Sequence, residues 1–159
     1  MDDKIIKKLE DLHQLDFDAV KAYEEAIERI KNPTIKNKLT EYKNDHLNHL
    51  QNLEELIVSK GGEKPDRKKD IKGYLIEGMT LIRSSMGDEQ ALKAMRQNEE
   101  ITNKKYADAL KELSSEPEVS KVLNHNYEDE RKHLVFIKEA LENPDHFKGP
   151  GAEEASPGL

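Results

Sequence analysis

The sequence predicts an all-α fold in which four long helices form a bundle. Four segments show the 3.6-residue apolar period of amphipathic helices, and Pro or Gly residues separate them. Charged residues make up 37% of the chain, while Gly and Pro are scarce inside these segments, as is typical of long helices. One chemical pattern also occurs twice, about 83 residues apart: a carboxylate, a tyrosine seven residues later, and a paired x-x-His motif on the next helix.

The first two helices are predicted to form an antiparallel hairpin. Helix A runs roughly from Asp3 to Lys31 and ends at Asn32-Pro33. Helix B runs from about Thr34 to Lys60 and ends at Gly61-Gly62. The short turn between them leaves the two helices side by side.

The connection between helices B and C is nearly thirty residues long. It begins with polar residues and then carries a weak apolar stripe at Ile71, Leu75, Met79 and Ile82. This stripe is consistent with a short helix that Gly73 and Gly78 weaken. The connection therefore predicts a long crossover between two hairpins, with or without a helix of its own.

Helices C and D are predicted to form the second hairpin. Helix C begins near Asp88, a candidate N-cap, and runs to about Leu113. Helix D begins around Pro117 and ends near Asn143-Pro144. We expect one domain over residues 1–145 and a flexible tail over residues 146–159, which are rich in Gly, Pro, Ala and Glu.

One stripe on each helix is apolar at both ends and polar or ionisable in the middle. Burying an unpaired charge costs several kcal/mol, so six ionisable groups in one core layer need compensation. A bound cation is the simplest compensation, because carboxylates and neutral imidazoles then become ligands. The stripes occupy positions 5, 9, 12, 16, 19, 23, 26 and 30 on helix A, 35, 39, 42, 46, 49, 53 and 56 on B, 92, 95, 99, 102, 106, 109 and 113 on C, and 119, 123, 126, 130, 133, 137 and 140 on D.

The ionisable residues are predicted to lie at one level. Asp16 and the pair His46/His49 are equally far from the first turn, and the i, i+3 spacing places both histidines on one helix face. The second hairpin repeats this arrangement. The predicted metal ligands are Asp16, His46, His49, Glu99, Glu130 and His133.

Four further residues are predicted to support the ligands. Tyr23 and Tyr106 lean toward the N-terminus of their helices, so we expect their hydroxyls to bond to carboxylates of the opposite hairpin. They are also the candidate catalytic side chains. Asp45 and Asp129 adjoin the ligand pairs, and each can orient an imidazole through its second N–H.

A bundle whose buried polar network fixes the helix register without metal is the alternative interpretation. The remaining histidines are treated as surface or incidental residues, and the nearby carboxylates are assigned to solvated faces. They are His13, His125, His146, Asp18, Glu24, Glu25 and Glu100.

Composition limits the function classes. The chain has no cysteine, which excludes disulfides, thiolate zinc sites, iron–sulfur clusters and rubredoxin-type iron centres. Its net charge of −7 argues against nucleic acid and anionic membranes as partners. No apolar run approaches the ~20 residues of a membrane span. We expect a soluble cytoplasmic protein.

The segment Asp129-Glu130-Arg131-Lys132-His133 resembles the ferritin-like superfamily, especially bacterioferritin and rubrerythrin. The carboxylate-x6-Tyr pattern is similar to that of bacterioferritin, and the resemblance covers roughly residues 5–142. It implies a ferritin-like four-helix bundle whose crossover makes helices B and C parallel. It also implies a centre for two iron ions, in which Glu99 and His133 are terminal ligands and Glu130 is a bridging ligand. Relatives suggest a homodimer.

The first half departs from the family pattern, because Asp16 and His46 stand where the family has Glu. An imidazole does not bridge two irons as a carboxylate does, so asymmetric occupancy stays open. The leading hypothesis is a non-haem iron protein with O2 or H2O2 as substrate, acting as a ferroxidase or peroxidase in iron oxidation or oxidative-stress protection. The alternatives are a non-catalytic bundle that binds iron, manganese or zinc, and an interaction module with a degenerate metal site.

Overall fold

The computed structural model describes residues 2–67 and 75–143. Within these ranges the chain is all-α, with five helices and no β-strand, which confirms the predicted fold class at that level. The four long helices match the predicted segments, and the crossover, for which a helix of its own was left open, contains the short helix α3. The bounds are α1 Asp2–Arg29, α2 Pro33–Ser59, α3 Ile76–Arg83, α4 Asp88–Glu112 and α5 Pro117–Glu142.

Some sequence predictions concern residues that lie outside the described ranges. They are the start of the crossover stripe at Ile71 and Gly73, the domain end at residue 145, and the tail over residues 146–159. Among the helices of the described ranges, none combines the length and apolarity needed to cross a bilayer.

The helices pack as two hairpins, α1 with α2 and α4 with α5. Helix α1 also packs on α4, α2 packs on α5, and α3 packs on both α4 and α1. Tyr23 of α1 bonds to Glu99 of α4, whereas the earlier residue Asp16 bonds to the later residue Tyr106. Helices α1 and α4 are therefore antiparallel, and α2 and α4 are parallel.

Among the described residues, the core has two large apolar clusters separated by a polar layer, and a third, small cluster of Phe17, Val20 and Leu50. One large cluster lies toward the α1–α2 turn and includes Ile30 and Leu39, and the other includes Leu9 and Leu53. Each large cluster contains side chains from all four long helices. Every residue of the four predicted stripes is buried, so the stripe assignment is confirmed.

Asp88 has a different role from the one predicted. It is the first residue of α4, and Gly87 holds the cap position with φ 116°, in the left-handed region that favours glycine. The Asp88 carboxylate instead accepts hydrogen bonds from the backbone N–H groups of Lys31 and Asn32, at 2.8 and 2.9 Å. Asn32 in turn caps α2 by accepting a bond from the Ile35 N–H. Asp88 therefore ties the second hairpin to the turn of the first.

Replacing Asp88 with alanine is expected to lower the free energy of unfolding by about 1–2 kcal/mol, because two backbone N–H groups lose their acceptor. Urea denaturation of the metal-free protein measures the change. Glu89→Ala, at the exposed next position, is the matched control and should leave stability nearly unchanged. Equal midpoints for the two variants would refute the anchoring role of Asp88.

Candidate metal centre

The structure brings all six predicted ligands together in the polar layer. Each is at most 1% exposed. Helices α1 and α4 supply one residue each, and α2 and α5 supply two each. They form two overlapping groups, and within each group the candidate ligand atoms all lie within 4.8 Å of one another. The groups are Asp16, His46, His49 and Glu130, and His46, Glu99, Glu130 and His133.

Two residues belong to both groups, and each presents a different atom to each group. His46 Nδ1 lies 2.7 Å from Asp16 Oδ1, whereas His46 Nε2 lies 3.4 Å from Glu99 Oε1. Glu130 Oε1 lies 3.4 Å from His46 Nδ1, whereas Glu130 Oε2 lies 3.5 Å from His133 Nδ1. The sequence singled out Glu130 alone as a shared residue, and the geometry adds His46.

Two buried atoms test whether these residues fit a metal ion. Glu130 Oε1 and His133 Nδ1 have no hydrogen-bond partner, although their side chains are fully buried. His133 Nδ1 lies 3.6 Å from Glu99 Oε1, too far for a hydrogen bond. Ligand atoms about 2.1 Å from one ion stand roughly 3.0–3.4 Å apart, close to the spacing seen here. A divalent cation among these nitrogen and oxygen atoms would therefore give a partner to two buried atoms that form no hydrogen bond.

Carboxylates outside the two groups orient two of the imidazoles, as predicted. His49 Nε2 donates to Asp129 Oδ2 at 2.9 Å, and His133 Nε2 donates to Asp45 Oδ2 at 2.8 Å. Each bond joins α2 to α5. Because Nε2 is engaged, Nδ1 of both rings faces the interior of the layer, where it can bind a metal.

The tyrosine hydroxyls reach the opposite hairpin, as predicted. Tyr23 donates to Glu99 Oε1 at 2.6 Å, and Tyr106 donates to Asp16 Oδ2 at 2.5 Å. Burial raises the pKa of both tyrosines, and the neighbouring carboxylates raise it further. Both hydroxyls therefore keep their protons and act as donors.

The imidazoles and carboxylates of the layer stabilise each other's charged forms without metal. Burial by itself lowers the pKa of a histidine, but the nearby carboxylates outweigh it and raise the pKa of His46 to about 9, of His49 to about 12 and of His133 to about 11. Burial likewise favours neutral Asp16 and Glu99, yet the imidazolium charges and hydrogen bonds hold both pKa values below their usual range. The metal-free layer at neutral pH is a network of imidazolium–carboxylate pairs.

Three stripe residues make contacts in the polar layer that were not predicted from the sequence, two of them with ligands and one with Tyr106. Thr102 Oγ1 lies 3.1 Å from Glu99 Oε2 and 3.3 Å from Glu130 Oε2. The Tyr42 ring stacks on His133 with centroids 4.2 Å apart. Asn126 donates to the Tyr106 hydroxyl. Each of the three lies on a predicted stripe, one helical turn from a ligand, and this position was the sequence signal that could have indicated these contacts.

Two surface assignments were wrong. His13 is buried, and its Nε2 lies 2.8 Å from Glu54 Oε2, which also accepts hydrogen bonds from Arg67. Asp18 is buried and accepts a bond from Gln14, although it belongs to neither metal group. Both residues lie beside the predicted stripe of α1, so the buried face of this helix is wider than the stripe.

The other surface assignments have mixed outcomes. His125 and Glu100 are exposed as predicted, whereas Glu24 and Glu25 are half-buried. Glu25 accepts hydrogen bonds from two arginines at the surface. The predicted surface residue His146 lies outside the described residues.

Comparison with known proteins places the chain in a family. A search of curated proteins found no match. The model of a family described as a domain of unknown function, DUF2383, matches residues 4–112, about two thirds of the chain. The match spans α1 to α4 and includes the four candidate ligands Asp16, His46, His49 and Glu99. The chain therefore belongs to the DUF2383 family.

Proposed function

We propose that this chain is a ferritin-like protein that binds two divalent metal ions in its polar layer, with iron as the leading metal. The observation that carries the proposal is the pair of overlapping buried groups, each with two imidazoles and two carboxylates. The packing of two hairpins, with α2 and α4 parallel and a helical crossover between them, supports the ferritin-like assignment.

In this proposal Asp16 and His49 would hold one ion and Glu99 and His133 the other. Glu130 would contribute to both, whereas His46, whose neutral ring has one free lone pair, would bind one of the two. Iron bound there would supply one-electron redox chemistry toward O2 or H2O2, which suits iron oxidation or oxidative-stress protection. Asp16 and Glu99, which each belong to one group only, are the two outer carboxylates. Tyr106 and Tyr23 donate hydrogen bonds to them and so fix their orientation. The apolar clusters on both sides of the layer exclude bulk water.

A second function is metal binding without turnover. The specific observation in its favour is His46, an imidazole that both groups share and that suits zinc as well as iron or manganese. An interaction module with a degenerate metal site is a third candidate. The hydrogen bonds that Asp16 already makes with His46 and His49 favour it, because they persist without an ion.

Elemental analysis of freshly purified protein, paired with an optical spectrum after addition of Fe(II) and air, tests metal binding. We expect two ions per chain in the wild type and about one in His133→Ala, which disrupts only one group. His125→Ala is the matched control, since this histidine is exposed and belongs to neither group. Metal-free wild type, or equal metal content in the two variants, would favour the buried polar network instead.

Turnover is a separate measurement. Protein loaded with Fe(II) should consume O2 or H2O2 faster than the same amount of Fe(II) bound to His133→Ala. If the iron-loaded wild type consumes neither O2 nor H2O2, the oxidoreductase hypothesis is excluded and metal binding without turnover is left as the function. The predicted homodimer and cytoplasmic location belong to this proposal as well, and neither is needed for metal binding.

A further inference from the structure

A chain of hydrogen bonds runs from α2 through α5 and α4 to Asp16. Asn52 Nδ2 donates to Asn126 Oδ1 at 3.2 Å, and Asn126 Nδ2 donates to the Tyr106 hydroxyl at 3.1 Å. Tyr106 then donates to Asp16 Oδ2 at 2.5 Å. Asn126 is fully buried, and its amide N–H and carbonyl are both used in this chain.

The donor–acceptor direction of these hydrogen bonds follows from what each group is able to donate or accept. An ionised carboxylate only accepts hydrogen bonds, so the Tyr106 proton must point to Asp16. The Tyr106 oxygen then offers a lone pair, which the Asn126 amide N–H occupies. The Asn126 carbonyl is left to accept from Asn52. Asn126 thus holds the Tyr106 hydroxyl in one rotational state.

The other half of the layer lacks such a residue. The position that corresponds to Asn126, four residues before the shared ligand, is Tyr42 on α2, which meets the Tyr23 ring edge-on at 6.5 Å. Among the side chains that the structure describes, none donates a hydrogen bond to the Tyr23 hydroxyl. The two tyrosines therefore differ in how firmly their hydroxyls are held.

The two outer carboxylates also divide their oxygens differently. At Asp16, Tyr106 occupies Oδ2, while Oδ1 alone faces His46 and His49, at 2.7 and 3.0 Å. At Glu99, the oxygen that accepts from Tyr23 is also the one nearest His46 and His133. Only at Asp16, therefore, does the tyrosine bond to one carboxylate oxygen while the other oxygen faces the histidines.

We propose that Asn126 is a positioning residue for the metal position at Asp16. By fixing the Tyr106 hydroxyl on Oδ2, it leaves Oδ1 as the single ligand oxygen of that carboxylate. This inference rests on the proposed metal binding. It assigns Asn126 no contact with the ion, and it predicts that only one of the two metal positions depends on the residue.

The test is Co2+ titration of variants that keep one metal position each. In the His133→Ala background, Asn126→Leu should lower Co2+ affinity about tenfold, the effect of losing one well-placed hydrogen bond. It should also change the visible absorption spectrum, because Oδ2 becomes free to bind. In the His49→Ala background, Asn126→Leu should change neither the Co2+ affinity nor the absorption spectrum. Asn126→Asp has the same size and removes the amide donor, so it should act in the same direction if the leucine variant folds poorly.

A double-mutant cycle with Tyr106→Phe separates positioning from general packing. If Asn126 acts through Tyr106, adding Asn126→Leu to Tyr106→Phe should leave affinity and spectrum unchanged. Additive losses, or equal losses in both backgrounds, would overturn the inference while metal binding stands. Wild-type protein that binds no Co2+ would instead overturn the proposed function, and the inference with it.

Discussion

Glu130→Gln is expected to abolish binding of both metal ions. Glu130 is the one carboxylate shared by the two groups, with Oε1 facing His46 and Oε2 facing His133. Glutamine keeps the shape but is neutral, and it replaces one oxygen with an N–H2 group that cannot bind a cation. We expect affinity at both positions to fall more than about 100-fold, since changes that only reorient a ligand already cost 10- to 100-fold.

Single-group substitutions provide the contrast. His49→Gln and His133→Gln each alter one group, so each variant should keep one ion per chain. Glu128→Gln changes an exposed carboxylate on the same helix and is the matched control for charge. Isothermal titration with Zn2+ and elemental analysis give stoichiometry, and circular dichroism checks helical content. A Glu130→Gln protein that retains one tightly bound ion would exclude a shared role for this residue.

Metal binding at pH 7 is expected to release protons, up to three per chain. The pKa values of His46, His49 and His133 lie at about 9, 12 and 11, so all three rings are protonated in the metal-free protein. Each must lose a proton to bind an ion. Affinity should therefore rise with pH, by up to about tenfold per pH unit for each proton displaced.

Proton release can be measured in weakly buffered solution with an indicator dye during Zn2+ addition. His133→Ala has one imidazole fewer in the layer and should release fewer protons, whereas His125→Ala should match the wild type. Zn2+ binding with no proton release would mean that the imidazoles are already neutral, and the ion-pair description of the metal-free layer would then be wrong.

The same shifts set the pH dependence of stability in the metal-free protein. The histidine pKa values are raised above 6.5. Their contribution to the free energy of unfolding is therefore complete below pH 6.5, and it is lost as the pH rises through about 9, 11 and 12. The pKa values of Asp16 and Glu99 are lowered, so their contribution is present above their usual pKa and is lost as pH falls. The melting temperature should therefore be highest between about pH 4.5 and 6.5 and should fall on either side of this range. A melting temperature that rises steadily between pH 8 and 10 would contradict this.

Much of the fold and of the candidate site could be predicted from the sequence. Helical periodicity reports which face of a helix is buried, and all four predicted stripes proved to be buried. The equal distances of Asp16 and the pair His46/His49 from one turn predicted their contact, because a short turn between two helices leaves little freedom in their alignment. Local spacing is therefore sufficient where geometry within one hairpin decides the outcome.

Contacts between the hairpins depended on the tertiary structure. The contact of His46 with Glu99 and the bond from Tyr106 to Asp16 join residues of the two hairpins that are 53 and 90 positions apart. No periodicity encodes which atom of a side chain faces which neighbour across a helix interface. Sequence alone thus determined which residues enter the core layer. The packing of one hairpin on the other decided which atoms face each other, because the rotation and offset of two helices depend on every side chain at their interface.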